Sequence, residues 1–403
     1  MATRALALTG FVLFVSVGAK AQDQRDETIG VEAAPLIEDM DPGHGSYAIQ
    51  IGLYNHTDSP GDGNPFLDEN LTVIEPIVIY DYDVSEKFGY GIELNYDLVS
   101  SASIDRLGDV PGTEESGASG DNYVGLDVSF RHRLDSGGLL AWHIGASTEY
   151  DYSSIGLGGN YTWQPEGTDS TVSFGVDAYQ DSVDLILFNG LTAPDGTDDR
   201  TSFTLTANWN QILSPVSRFD MGLAVAQQNG FLATPYNAVV LEDPGLPANP
   251  LLDNNAMGIE AAETLPEDRT RVALYGTYRR QVSPKRAWEL GGRLYGDSWG
   301  ISSLTVEPRF IQEVGDGLIL DLHYRFYQQS ESKYFEETFL QAAPPQEFRT
   351  QDSDLADFNT NTLGFGLRWL DHAGGFFEFG LEYGVRSDNI DLFYGYLGWN
   401  RSF

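Results

Sequence analysis

The 403-residue sequence carries 60 Asp and Glu against 23 Lys and Arg, a formal charge of −37. That balance excludes nucleic acid as a partner, because a phosphate backbone demands basic surface. Cysteine is absent, which excludes disulfides, zinc thiolate sites, iron–sulfur clusters and covalent haem attachment, and no cofactor or metal is expected.

Residues 1–21 read as a cleaved secretory signal. Arg4 supplies a positive start, residues 5–18 are an apolar run too short to span a bilayer comfortably, and Ala19-Lys20-Ala21 fits an A-x-A site, so cleavage is expected near Ala21. Residues 22–44 are acidic and turn-rich and read as a periplasmic lead-in. From Gly45 onward the side chains alternate with period two, the pattern of strands with one apolar and one polar face. In residues 87–100, Phe88, Tyr90, Ile92, Leu94, Tyr96 and Leu98 share one face and Glu93 lies on the other. Residues 122–134 set Leu126 and Val128 opposite Asp127 and Arg131, and residues 138–152 set Trp142 and Ile144 opposite His143 and Glu149. Later segments set Leu320 and Leu322 opposite Asp321 and Arg325, Leu367 and Trp369 opposite Arg368, and Leu381 and Tyr383 opposite Glu382. A sandwich core would alternate in the same way, so alternation alone does not identify the fold.

The connections do. The segments resolve into about sixteen strands of roughly ten residues. Long links, at residues 56–70, 101–121, 181–199, 230–268 and 328–358, all follow odd-numbered strands. Three odd links are short (near Ser153, at 297–302 and at 387–389), and every even link is short, as at 85–87, 135–137, 214–215, 283–284 and 371–375. This parity is that of a transmembrane barrel with short periplasmic turns, long outer loops and periplasmic termini. The expected fold class is all-β, a transmembrane antiparallel β-barrel of about sixteen strands formed by residues 45–403 in the outer membrane of a Gram-negative-type envelope. An open edge in hydrocarbon would strand backbone donors and acceptors, so the last strand has to pair with the first, around residues 47–54. Residues 392–403 are rich in aromatics, and Trp399 and Phe403 are read as the closure and insertion signal for the barrel assembly machinery. Arg401 fits an interfacial position from which its head can snorkel into water. Trp142, Tyr150, Tyr152, Tyr161, Trp163, Trp209, Trp288, Trp369 and Trp399 are candidates for aromatic girdles against outer-membrane lipid.

Several inner motifs carry a family resemblance: SSASID at 100–105, GFLATPY at 230–236, DRTR at 268–271, DSWGI at 297–301 and HYRFYQQS at 323–330. In these the chain resembles a family of uncharacterised outer-membrane β-barrel proteins known only as a domain of unknown function. The resemblance implies a barrel and supplies no activity. Members of the family tend to be encoded near thioredoxin-like proteins and a flavin transferase, which implies a link to extracytoplasmic redox proteins.

No catalytic constellation stands out, and no enzyme is expected. His143, Ser147 and Glu149 have the residue types of a hydrolase site. Along one strand, however, His143 and Ser147 would stand about 13 Å apart, too far for a triad. The lumen is the candidate site. Inward parity gives Glu93, Asp127, Glu149, Asp177, Glu307, Asp321 and Glu382 as acids, and Arg131, Arg271, Arg293, Arg309, Arg325 and Arg368 as bases. Opposed rows of this kind set a transverse field in a pore; equally, Arg–carboxylate networks can close a lumen, and the residues alone leave both open. Residues 230–268 are acidic yet carry Phe231, Leu232, Val239 and Val240, too apolar to hang free, so this loop is expected to fold into or across the barrel mouth. The functional expectation is a passive, porin-like channel for small solutes or cations. The alternative is a non-conducting interaction barrel that docks a periplasmic or surface partner, linked to extracytoplasmic redox proteins.

Overall fold

Alternating apolar and polar residues leave each strand with one face for hydrocarbon and one for a polar interior. The computed structural model describes residues 40–57, 71–101, 121–149, 152–186, 194–233, 238–243, 245, 258–344, 346–371 and 374–403. The signal segment 1–21 with its cleavage near Ala21, most of the lead-in, and Tyr150 lie outside the described residues. Nine strands come first: β1 (Gly45–Thr57), β2 (Leu71–Ser85), β3 (Phe88–Ser101), β4 (Asp121–Arg133), β5 (Leu139–Thr148), β6 (Tyr152–Trp163), β7 (Ser170–Ile186), β8 (Pro194–Ser214) and β9 (Ser217–Gly230). Two short strands follow, β10 (Ala238–Glu242) and β11 (Gly258–Ala262), then β12 (Asp268–Ser283), β13 (Arg286–Asp297), β14 (Ser302–Glu313) and β15 (Leu318–Gln329). The chain continues through β16 (Phe339–Leu340), β17 (Phe358–Leu370), β18 (Gly375–Arg386) and β19 (Asp391–Ser402).

Sixteen of these form a closed antiparallel barrel, in the order β1 to β9, β12 to β15, β17, β18, β19 and back to β1. Closure pairs Tyr47 with Arg401, Ile49 with Trp399 and Ile51 with Leu397. The amide of Gly45 donates to Phe403 O at 3.0 Å, and that of Phe403 donates to Gly45 O at 2.9 Å. The expected strand number, link parity and first-to-last pairing are all present.

One face of the barrel strands carries large exposed apolar side chains, among them Leu363 at 68%, Ile155 at 65% and Leu397 at 60%. A continuous belt of this kind is incompatible with water and matches hydrocarbon. Among the described residues no helix is long and apolar enough to cross a membrane. Aromatic rings line the end of the barrel that bears the short turns. Phe130 stacks on Trp142 at 4.2 Å, Trp163 on Phe174 at 5.6 Å and Phe377 on Trp399 at 6.0 Å. Trp399 meets Tyr47 edge-on at 5.2 Å, and Phe403 lies 6.1 Å from Tyr80 and 6.5 Å from Tyr82. Tyr152 does not belong to this girdle. It is 6% exposed, at the opposite end, with Arg200 5.5 Å above its ring.

Two further expectations change. Residues 181–199 are not a plain loop: β7 runs to Ile186 and β8 starts at Pro194, so the hairpin extends beyond its neighbours. The 230–268 segment contains β10 and β11, which pair antiparallel, and β10 also pairs parallel with β16 from the 330–357 loop. The two long outer loops thus build one three-stranded cap. Leu232, Trp299, Ile301 and Leu355 form its apolar contact with the barrel rim, and Trp299 is 2% exposed, its indole N–H donating to Asp268 O at 3.0 Å. That contact explains why Leu232 is apolar in an otherwise acidic loop.

Candidate functional site

Charge on the inward face is unevenly divided. The β1–β8 half brings together Glu75, Asp81, Asp83, Asp97, Asp127 and Asp177, with Arg131, Arg133 and Arg200 as its bases. The β9–β19 half carries Arg218, Arg271, Arg279, Arg293, Arg309, Arg325 and Arg368 beside Asp220, Glu289, Glu307, Asp321, Glu378 and Glu382. In a closed ring of sixteen, strands eight places apart face each other, so the arginines of β12–β17 look across at the acids of β2–β6.

Two imidazoles organise these walls. His143 on β5 lies in register with Gly158 on β6, which is itself in register with Asp177 on β7. With no side chain on Gly158, the ring crosses that strand: Nδ1 is 2.7 Å from Asp127 Oδ2 and Nε2 is 3.1 Å from Asp177 Oδ1. A Cβ on Gly158 would overlap both His143 Nε2 and Asp177 Oδ1. The same row recurs as His323 on β15, Gly364 on β17 and Glu382 on β18. Nδ1 of His323 is 3.0 Å from Asp321 Oδ1, Nε2 is 3.2 Å from Glu382 Oε1, and a Cβ on Gly364 would overlap the ring. Since ionised carboxylates only accept hydrogen bonds, each ring donates from both nitrogens, as an imidazolium does.

Arg309 is the hub of the arginine-rich wall. Its guanidinium meets Glu307 at 2.8 Å and Asp321 at 3.3 Å, and approaches Glu289 at 4.0 Å, while Arg279 joins from β12 through Glu289. Arg368 meets Glu378 at 3.0 Å. On the other wall Arg131 holds Asp81 at 2.6 Å and Asp83 at 3.3 Å. Between Arg309 and Glu307 stands Pro308, which lacks the N–H a ladder needs; β14 pairs continuously with β13 there but skips two positions against β15.

At the outer mouth the cap is latched to the wall. Arg386, on the inward face of β18, binds Asp354 of the loop, donates to Ser353 O at 3.2 Å and holds Asp388 at 2.6 Å. Burial opposes the charge on Asp354, yet Arg386 and His56 hold its carboxyl below the usual carboxylate range. The segment latched to the inward face is Ser353–Leu355, from the second long loop, while the described part of the 230–268 loop joins the cap through β10 and β11. Among the described residues, no group of three or more His, Asp and Glu converges to hold a metal.

The sequence-predicted candidates Glu93, Asp127, Arg131, Asp177, Arg293, Glu307, Arg309, Asp321, Arg325, Arg368 and Glu382 all take the inward register of their strands. Two candidates differ. Glu149 falls past the end of β5, in the link to β6, with its amide on Tyr152 O at 2.8 Å, so it belongs to the rim. Arg271 keeps the inward register near the outer end of β12 but is 2% exposed, so it is packed into the wall and does not line open lumen. Asp81 and Asp83 were missed because β2 has apolar residues on both faces, Val73 and Ile77 being buried inward; the alternation Tyr80-Asp81-Tyr82-Asp83 was the available signal. Asp181 was missed because it falls in the stretch read as a loop, and its partner Arg200, 2.8 Å away, directly follows that stretch. His56, taken for a loop residue, is in β1.

A closed barrel with an apolar outer belt, an aromatic girdle and a charged interior defines a transmembrane β-barrel protein. The family model described as "Protein of unknown function (DUF3570)" matches residues 117–400, and the chain belongs to that family. No curated protein matches the sequence. Among solved structures the chain is similar to a ferric enterobactin receptor mutant from Pseudomonas aeruginosa, at 11% identity and TM-score 0.46, over 87% of this chain and 54% of that one. It is also similar to a siderophore receptor from Acinetobacter baumannii, at 10% identity and TM-score 0.46, over 87% and 53% of the two chains. A bacterial polysaccharide outer membrane secretin matches at 10% identity and TM-score 0.46, over 89% and 98%. The chain spans about half the length of the two receptors. Likenesses this distant carry no functional information.

Proposed function

We propose that the protein is an outer-membrane channel that passes small ions and solutes passively, with a preference for cations. The observation that carries this reading is the division of lumen charge, with an acid-rich β1–β8 wall facing the arginine-rich β12–β17 wall across the ring. Such a field orients and sorts small polar solutes, and low-dielectric walls strengthen it. The cap adds acids above the mouth, among them Glu242, Glu263, Glu336, Glu337 and Glu347, against Lys333 and Arg349, which raises local cation concentration. In this proposal outer-membrane lipid covers the apolar belt, and the barrel assembly machinery reads the outward aromatic register of β19. His143 and His323 serve as fixed charges, with no part in catalysis. Purified protein in planar bilayers is expected to conduct and to show a cation-favouring reversal potential in a salt gradient; a silent barrel refutes the proposal.

A second reading draws on the cap, a folded surface at the outer mouth. In it the barrel does not conduct and docks a surface or periplasmic partner, linked to extracytoplasmic redox proteins. A partner that co-purifies with a barrel lacking conductance would favour it.

A further inference from the structure

The two imidazole rows occupy opposite points of the barrel. His143, Gly158 and Asp177 sit on β5, β6 and β7; His323, Gly364 and Glu382 sit on β15, β17 and β18, eight places further round the sixteen-strand ring. Their depth matches, since His143 is the fifth residue of β5 and His323 the sixth of β15, both counted from the short-turn end. The surrounding sequence repeats with the same spacing. Leu157-Gly158 and Trp163 in β6 correspond to Leu363-Gly364 and Trp369 in β17. Phe174-Gly175-Val176-Asp177 in β7 corresponds to Phe379-Gly380-Leu381-Glu382 in β18, and Trp209-Asn210 in β8 to Trp399-Asn400 in β19. The chain therefore builds one arrangement twice, on facing walls: an imidazole lying across a glycine and clamped between two carboxylates.

We propose that this opposed pair is the charge filter of the lumen, with His143 and His323 as specificity-determining residues for small ions. The inference rests on the permeation reading above. Around His143 the ring carries one positive charge against the two negative charges of Asp127 and Asp177, so the site is net anionic by one. On the facing wall His323, Arg309 and Arg325 stand against Asp321, Glu307 and Glu382, and Arg279 offsets Glu289, so the local charge is close to zero. A passing cation is therefore drawn to the His143 site more strongly than to the His323 site, and an anion is repelled mainly by the first. Removing the ring charge of His143 doubles the local negative charge. For an ion about 5 Å away in a water-like dielectric, one unit charge alters occupancy roughly fourfold, and salt reduces the effect. His143 is 26% exposed and His323 8%, so the first has the larger influence.

The test is the reversal potential of full-length protein in planar bilayers under a low-salt potassium chloride gradient, comparing wild type, His143→Gln, His323→Gln and Asp177→Asn. Circular dichroism and heat-modifiable gel migration verify that each variant is folded. The expected result is a cation-to-anion permeability ratio raised about fourfold by His143→Gln, raised less by His323→Gln, and lowered by Asp177→Asn. Opposite signs for the histidine and aspartate changes are the signature of a charge filter, and Asp177→Asn keeps the test open if a glutamine variant does not fold. A conducting wild type whose selectivity none of the folded variants alters overturns the filter and leaves the permeation reading standing. A silent wild type overturns both.

Discussion

Gly158 is a place where the lumen wall is sensitive to a single methyl group. In Gly158→Ala the new Cβ would overlap His143 Nε2 and Asp177 Oδ1, so the ring has to leave its saddle or the two strands have to spread. Overpacking of a well-fitted site costs about 1–3 kcal/mol, and loss of a charge-assisted hydrogen bond costs about 1.5–3 kcal/mol. His143 can escape toward the lumen, and with side-chain exposures of 26% and 30% solvent recovers part of what the His143–Asp177 contact loses. The combined loss is therefore about 2–4 kcal/mol. Gly291→Ala is the matched control on the same inward face, since its Cβ would meet Glu307 O at 3.6 Å and Glu307 Cβ at 3.7 Å, ordinary contacts. Its expected change is within about 0.5 kcal/mol. Urea titrations in detergent or lipid vesicles, followed by tryptophan fluorescence and gel mobility, measure both. A cycle adds a second check: in a His143→Ala background the same glycine change should cost at least ~1 kcal/mol less, because the clashing ring is gone. Equal stabilities for Gly158→Ala and Gly291→Ala, or a cycle without coupling, would refute the saddle.

Arg386→Ala should release the Ser353–Leu355 segment at neutral pH, since it leaves Asp354 without its main partner; breaking such a buried pair costs about 3–5 kcal/mol, read as faster hydrogen exchange confined to residues 353–358. Acid should act in the same direction on the wild type. Because the folded-state pKa of Asp354 is depressed, its contribution is complete above the ordinary carboxylate range and is lost as pH falls through the lower folded value; faster exchange on the alkaline side would contradict the sign. Trp299→Ala removes the largest buried side chain under the cap and should cost about 3–5 kcal/mol locally, seen as proteolysis in the 330–357 loop while barrel strands stay protected. Phe403→Ser removes a ring that packs beside Tyr47, Tyr80 and Tyr82 and should slow assembly into vesicles, measured as the folded fraction against time; an unchanged rate would show that this ring has no part in closure.

The barrel itself was legible because bilayer physics constrains every strand in the same way. Hydrocarbon on one side and charge on the other force period-two alternation, and closure forces an even count and the link parity. Those are local and repeated signals, so the register of Asp127, Arg309 and Glu382 could be read from neighbours along the chain. The strand ends were less legible. Asp181 and Arg200 sit where β7 and β8 continue past the belt, and there neither lipid nor alternation marks the strand. Leu232 and Val240 show apolar content in a loop but not its partners, which are Trp299, Ile301 and Leu355 for the first and the segment of Gln351, 111 positions away, for the second.

By itself the sequence determined that these residues make a charged barrel, and which side chains face inward, because parity is a property of the backbone alone. Only the tertiary structure decided which inward charges meet. His143 and Asp177 are 34 positions apart and come together because antiparallel register aligns them on either side of a glycine. The facing of the two imidazole rows, and the division of the lumen into an acid-rich and an arginine-rich wall, arise from closure of the ring, which sets each strand opposite another eight places away.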